Sequence, residues 1–191
     1  MQYKLTTPCT AEDLAPLKAG DTVLLSGVVY TARDQAHKRM LEALDKGEKL
    51  PFDLEGSAIY YVGPTPERPG EIIGSAGPTT SGRMDAMSPR LLDLGNKIMI
   101  GKGKRDAAVK EAVVRNGAVY LAALGGAGAL MAQSVKTLEV IAWPDLGCEA
   151  VRRLTVEDMP LTVILDAHGG DLYLSGPAAY KRQQGAGAKE L

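Results

Sequence analysis

Strand-like and helix-like segments alternate along this chain of 191 residues, and the alternation predicts an α/β domain with a largely parallel or mixed sheet covered by helices. Three observations carry the prediction. Short apolar runs rich in β-branched residues recur near 22–31, 58–62, 98–100, 118–122, 138–143 and 161–166. Segments with helical spacing of apolar residues separate several of them, at 34–46, 106–116 and 125–135. Glycine or proline stands at most of the joints. The length suits one compact domain with a full core, and 45% hydrophobic against 24% charged residues is a folded composition.

In chain order, Thr10 can cap a short turn, with Asp13 at the third helical position. Residues 22–31 read as a strand broken by Gly27. The helix at 34–46 takes Asp34 as its cap, buries Ala36, Met40, Leu41 and Leu44 on one face, and closes at Gly47. A strand at 58–62 precedes a proline-rich loop at 63–70. Residues 74–85 are the least regular part of the chain and the densest in polar chemistry. Ser88-Pro89 supplies a cap and first position for a helix over 87–94. A buried strand at 98–100 ends at Gly101-Lys-Gly103, and the helix at 106–116 ends at Gly117. The strand at 118–122 leads to a glycine-opened helix at 125–135 and a strand at 138–143. Residues 144–150 form a loop or helical turn, 154–160 read as a connection, and 161–166 as a buried strand. His168-Gly-Gly170 turns the chain, and residues 183–191 read as a mobile tail.

Composition excludes several functions. A net charge of −1 gives no basic field for nucleic acid. No run approaches membrane-span length and no signal peptide is evident, so a reducing cytoplasm is the expected compartment. Cys9 and Cys148 are too few and too distant for a disulfide framework or a zinc site, and a cubane cluster takes three or four thiolates. Asp166, His168 and Asp171 match no standard ligand spacing, so no metal is expected there.

The strongest local signal is Gly77-Pro-Thr-Thr-Ser-Gly-Arg-Met-Asp85. Adjacent hydroxyls, a glycine and Arg83 can form an oxyanion pocket in which Arg83 grips a carboxylate through two parallel hydrogen bonds. A polar turn capping the next helix accounts for the same residues. Arg33 follows a strand and precedes a helix, the junction where α/β sheets bind ligands, although pairing with Asp34 or another acid also explains it. His37, one turn on, either serves that site or is structural. Lys102 offers a point charge between two glycines that admit close backbone approach, without P-loop spacing. Gly125-Gly-Ala-Gly128 lacks the GxGxxG order, and close packing explains it better. Trp143-Pro-Asp-Leu-Gly147 suggests a fixed turn with an aromatic edge for an interface. Arg33, Arg83 and Lys102 together suit a small dicarboxylate, but the chain offers no convincing base and no electrophile of its own.

At these residues the chain resembles the β region of class I fumarate hydratases, the iron–sulfur type, and the related tartrate dehydratase β subunits. The likeness runs from about Leu5 to Tyr180 through Thr6-Thr-Pro8, 27–37, 77–85, 101–103, 125–130 and 143–147. It implies a three-layer β/β/α swivelling domain over 1–182. It implies a separate cluster-bearing α subunit whose [4Fe–4S] centre acts as Lewis acid on the substrate, in an αβ or (αβ)2 assembly. A homodimer is compatible with the chain alone. By the same resemblance Arg33, Thr79, Arg83 and Lys102 hold the dicarboxylate, and Thr79 handles the proton on carbon. Ser81-Gly-Arg-Met-Asp85 leans towards fumarate rather than tartrate; Cys148 departs from an expected methionine. The implied reaction is reversible hydration of fumarate to malate. A tartrate or other hydroxy-diacid dehydratase and a non-catalytic anion-binding module stand as alternatives.

Overall fold

The computed structural model describes residues 1–124 and 126–187, with 182–187 described by backbone alone. Seven strands form one sheet: β1 (Gln2–Thr6), β2 (Thr22–Thr31), β3 (Ala58–Tyr60), β4 (Ile98–Gly101), β5 (Val119–Ala122), β6 (Val135–Ala142) and β7 (Val151–Leu165). Their order is β1-β2-β3-β4-β5-β7-β6, and β2 also pairs with β7. That extra pairing closes β2, β3, β4, β5 and β7 into a five-stranded, barrel-like ring, with β1 and β6 as outriggers. Neighbours among β1 to β5 run parallel, whereas β7 is antiparallel to β2, β5 and β6. The mixed α/β class expected from the alternation is therefore the class observed.

Strand periodicity divides the core in two. Ala58, Tyr60, Ile98, Ile100, Val119 and Leu121 point into one cluster with the buried residues of β2 and β7. Ile59, Tyr61, Met99 and Tyr120 point the other way, against Ala36 and Met40 of α2 (Asp34–Asp45), Leu91 and Leu92 of α3 (Ser88–Asp93), and Val109, Ala112 and Val113 of α4 (Ala107–Arg115). The Thr10–Asp13 capping box forms as expected at a single-turn helix, Ala11–Leu14. The Asp106 side chain caps α4 by accepting the Val109 amide.

Several expectations are corrected. The cap of α2 is Arg33, and Asp34 is the first helical residue. The cap of α3 is Met87, because the Ser88 hydroxyl is turned inward to donate to the Met84 carbonyl. The glycine-opened helix begins at Gly128 and ends at Gln133 (α5), and Gly125 lies outside the described residues. The loop or helical turn expected at 144–150 is present, as a 3-10 turn over Pro144–Glu149. The connection at 154–160 is the middle of β7. A helix, α6 (Leu172–Gly187), follows the turn at 168–170 with Pro177 inside it, so 183–187 continue that helix, while 188–191 lie outside the described residues.

β7 hides in the sequence because Glu157-Asp-Met-Pro160 resembles a turn. Its partners explain the tolerance: β6 pairs with it over Val151–Val156 and β5 over Thr162–Leu165, leaving Met159–Leu161 paired on the β2 side alone. Proline lacks an amide hydrogen, and a stretch with one free side is where a strand accepts it. The β2–β7 register shifts between Leu25 and Gly27, where Gly27 and Asp158 both adopt positive φ. A Cβ on Gly27 would meet Thr7 Oγ1 at 2.5 Å and the Thr7 carbonyl at 2.9 Å, at φ +101°. Gly27→Ala is expected to lower unfolding stability by about 3 kcal/mol, read from urea melts followed by circular dichroism.

Candidate active site

Parallel strands place their carboxyl ends at one end of the sheet, and ligands of α/β sheets bind there. Arg33 follows β2, Thr79 lies in the long segment after β3, and Lys102 follows β4. The segment from Gly77 to Asp85 folds back over these ends. The Thr79 amide donates to the Tyr61 carbonyl at 2.8 Å, the Ser81 amide donates to the Lys102 carbonyl at 2.9 Å, and Thr80 bridges to Lys102. Ser81 to Met84 form a 3-10 turn that presents Arg83 outward. The structure thus joins the backbones of the Thr79, Arg83 and Lys102 segments directly. The Arg33 side chain lies against Gly63, at the start of the segment that carries Thr79 and Arg83, where a Cβ would stand 2.8 Å from its Nη1.

Gly101 has a role different from the one expected. The space its side chain would fill is taken by Ser81 Oγ and the Tyr61 ring, so it admits the 77–85 loop to the strand rather than a ligand. Gly128 is similarly filled by Ser75 and Gly77, and its carbonyl accepts the Ala76 amide.

Beneath the loop lies a polar network that the sequence did not announce. The Arg105 side chain is fully buried. Its Nε donates to Asp85 Oδ1 at 2.6 Å, its Nη2 to Ser88 Oγ at 2.9 Å, and its plane lies 5.4 and 5.0 Å from the Tyr61 and Tyr120 ring centres. Burial opposes its charge, but the two tyrosines and Asp85 outweigh that cost and raise its pKa. The other Asp85 oxygen accepts the Asp106 amide, and Tyr120 shares its hydroxyl with Ser81 at 2.9 Å and donates to the Gly103 carbonyl at 3.0 Å. Both ends of the 81–85 turn are thereby tied to the residues around Lys102. Asp85 belonged to the recognised motif; Arg105 had no local signal.

Arg33 is more crowded than expected. Its Nη2 lies 3.3 Å from Glu149 and 3.7 Å from Asp34, with 19% of its side chain exposed. His37 is buried, with Nδ1 3.0 Å from the Arg33 carbonyl and its ring edge against Tyr61. A carbonyl only accepts, so Nδ1 carries a hydrogen there. Burial holds its pKa down at about 4, with Arg105 adding to the effect.

Arg83 and Lys102 are exposed and form no ion pair among the described residues. Two open clefts, of about 440 and 530 Å³, flank the 64–75 loop, and neither is lined by Arg33, Thr79, Arg83 or Lys102. The charged rim, with its chemistry, is the better candidate. The Asp166 carboxylate accepts the amides of Ala19, His168 and Gly170, and Asp171 pairs with Lys110, so these groups serve the fold. Trp143, at positive φ, lies half-buried beneath Arg39, whose guanidinium also grips Asp145 through two bonds.

A family model described as the fumarase C-terminus matches residues 1–176. The chain belongs to the fumarase C-terminus family. It is 42% identical over 170 residues to a putative L(+)-tartrate dehydratase subunit beta of Methanocaldococcus jannaschii, covering 86% of this chain and 87% of that one. It is 34% identical to the L(+)-tartrate dehydratase subunit beta of Escherichia coli, covering 90% and 87%. It is 39% identical to fumarate hydratase 2 of Leishmania major over 85% of this chain but 29% of that protein. The chain spans under a third of the fumarate hydratases it matches. Within the described residues no helix is long and apolar enough to cross a membrane.

Two expectations follow from the buried groups. Asp85→Ala leaves the Arg105 charge buried and uncompensated, and should cost about 3–5 kcal/mol of unfolding free energy in urea. His37 binds a proton near pH 6.5 when unfolded and only near 4 when folded, so its contribution is complete above 6.5 and lost as pH falls towards 4. The loss should total about 3 kcal/mol, and His37→Gln should flatten that part of the pH–stability curve.

Proposed function

We propose that this chain is the β subunit of a two-subunit hydro-lyase that adds water reversibly to fumarate, giving malate. In this reading residues 1–182 are one substrate-binding unit of the swivelling, three-layer β/β/α kind. A strand layer on each side of the first core cluster and helices on the outer face of β3, β4 and β5 support that layering. Arg33, Arg83 and Lys102 hold the two carboxylates of the diacid, and Thr79 handles the proton at the carbon beside one of them. A threonine hydroxyl is a weak base, and cations around it favour its deprotonated form.

The observation that carries the proposal is the backbone pairing of the Thr79–Arg83 segment with Lys102, beside the strand end that Arg33 follows, in a chain of this family. This chain does not itself fit an iron–sulfur cluster. Cys9 is buried, with its thiol pKa pushed up to about 11 by burial, Cys148 lies apart from it, and the described residues hold no group of three metal-ligating side chains. The cluster is assigned to a separate α subunit. Cover by that partner also supplies what the rim lacks: exposed charges attract a diacid weakly in water, and exclusion of solvent strengthens them.

A second reading, an L(+)-tartrate or other hydroxy-diacid dehydratase β subunit, is favoured by one observation: the near full-length match is to proteins of that name. The test is reconstitution with a cluster-bearing α subunit, followed by assays with fumarate, malate and tartrate. Fumarate hydration by the pair and none by this chain alone is the expected result; tartrate dehydration instead would favour the second reading. Arg83→Ala is expected to lower kcat/KM by about 100-fold or more, and near-normal turnover would refute the clamp.

A further inference from the structure

We infer that Glu149 is the positioning residue for Arg33, and that the turn Pro144–Glu149 exists to deliver its carboxylate; the inference rests on the reading of Arg33 as a substrate-holding group. Glu149 comes from the far end of the chain, 116 positions after Arg33, yet its two oxygens meet α2 at separate points. Oε2 accepts the Gln35 amide at 3.0 Å, one of the free N–H groups of the first helical turn, and Oε1 lies 3.3 Å from Arg33 Nη2. Arg33 caps α2 without any side-chain cap of its own, so Glu149 supplies from outside the carboxylate that the helix start favours. One acid thereby ties the helix start to the arginine that precedes it.

The turn that carries Glu149 is held along its length. Arg39 grips Asp145 and lies over Trp143 at 6.0 Å. At the other end Arg152 donates to the carbonyls of Gly147, Cys148 and Ala150 at 2.9 to 3.0 Å. Trp143 and Gly147 both adopt positive φ. A left-handed tryptophan persists only where its surroundings impose it. From below, His37 holds the Arg33 carbonyl, so backbone and guanidinium are each fixed from a different direction. The side chain of Glu149 is 16% exposed, which keeps water from competing fully for the pair. The Trp143-Pro-Asp-Leu-Gly147 motif, without chemistry of its own, thus becomes the mount for a carboxylate that aims a guanidinium.

Two measurements on the full chain test this. The Arg33 Nε–H resonance of the ¹⁵N-labelled protein should be ordered in the wild type and motionally averaged in Glu149→Gln, with Glu149→Asp intermediate. An unchanged Arg33 resonance in Glu149→Gln overturns the inference, whatever the activity. In the complex with the α subunit, Glu149→Gln should raise KM for fumarate about tenfold, the effect of losing one partly buried ion pair, while kcat changes by less than about threefold. On an Arg33→Ala background the same substitution should add nothing, whereas independent multiplication of the two effects would mark Glu149 as merely structural and overturn the inference. Loss of Arg33 order in a protein whose wild-type complex leaves fumarate untouched would sink the proposed function and leave the positioning role standing.

Discussion

A guanidinium with no access to water holds the candidate site together. Arg105 stands between two tyrosine rings and bonds to Asp85 and Ser88, so the irregular loop at 77–85 is anchored to the start of α4 and to the helix-covered face of the sheet. A charge in that position is tolerated because every strong partner is present: a carboxylate, a hydroxyl, and two ring faces. The residues that could touch a ligand, half-buried Thr79 and exposed Arg83 and Lys102, are all within a few positions of an atom in this network. Order at the rim is thus inherited from a charge buried behind it.

The ring of strands sets where that rim lies. Parallel neighbours from β2 to β5 bring the ends of four strands to one side, and only an antiparallel return can close such a set without another crossover. β7 provides it with fifteen residues, long enough to pair with β2 along most of its length while serving β6 first and β5 afterwards. Just before the same strand Glu149 reaches the start of α2, and Arg152 within it holds the turn that carries Glu149. Closure of the sheet and support of Arg33 are consequences of one element.

What could be read from the sequence divides along the range of the interactions involved. The Thr10 capping box and the strand at Thr22–Thr31 depend on neighbours within a few residues, and their signals were sufficient. The identity of β7 depends on which partner is missing beside Pro160, something no local pattern reveals. Likewise Arg33, Thr79, Arg83 and Lys102 announced themselves as polar groups in loops between apolar runs. Arg105 and Glu149 did not, because an arginine before a helix or an acid after a turn is ordinary until the fold shows what it faces. The glycine at 101 was legible as a close approach, but the approaching group is Ser81 from the same chain.

The distribution of compensating charge carries the argument one step further. Asp34 and Glu149 stand beside Arg33, and Asp85 is occupied by Arg105, so no described acid pairs with Arg83 or Lys102. In open water a pair of unit charges at 4 Å gains only about 1 kcal/mol, too little for a small diacid to be held firmly by two exposed cations. The same cations under a covering surface repel one another unless an anion enters between them. A rim built this way gains affinity and selectivity for a doubly charged ligand only when something closes over it. That requirement supports a working unit larger than this chain, in keeping with relatives that either carry this region as under a third of their length or are named as a subunit beta.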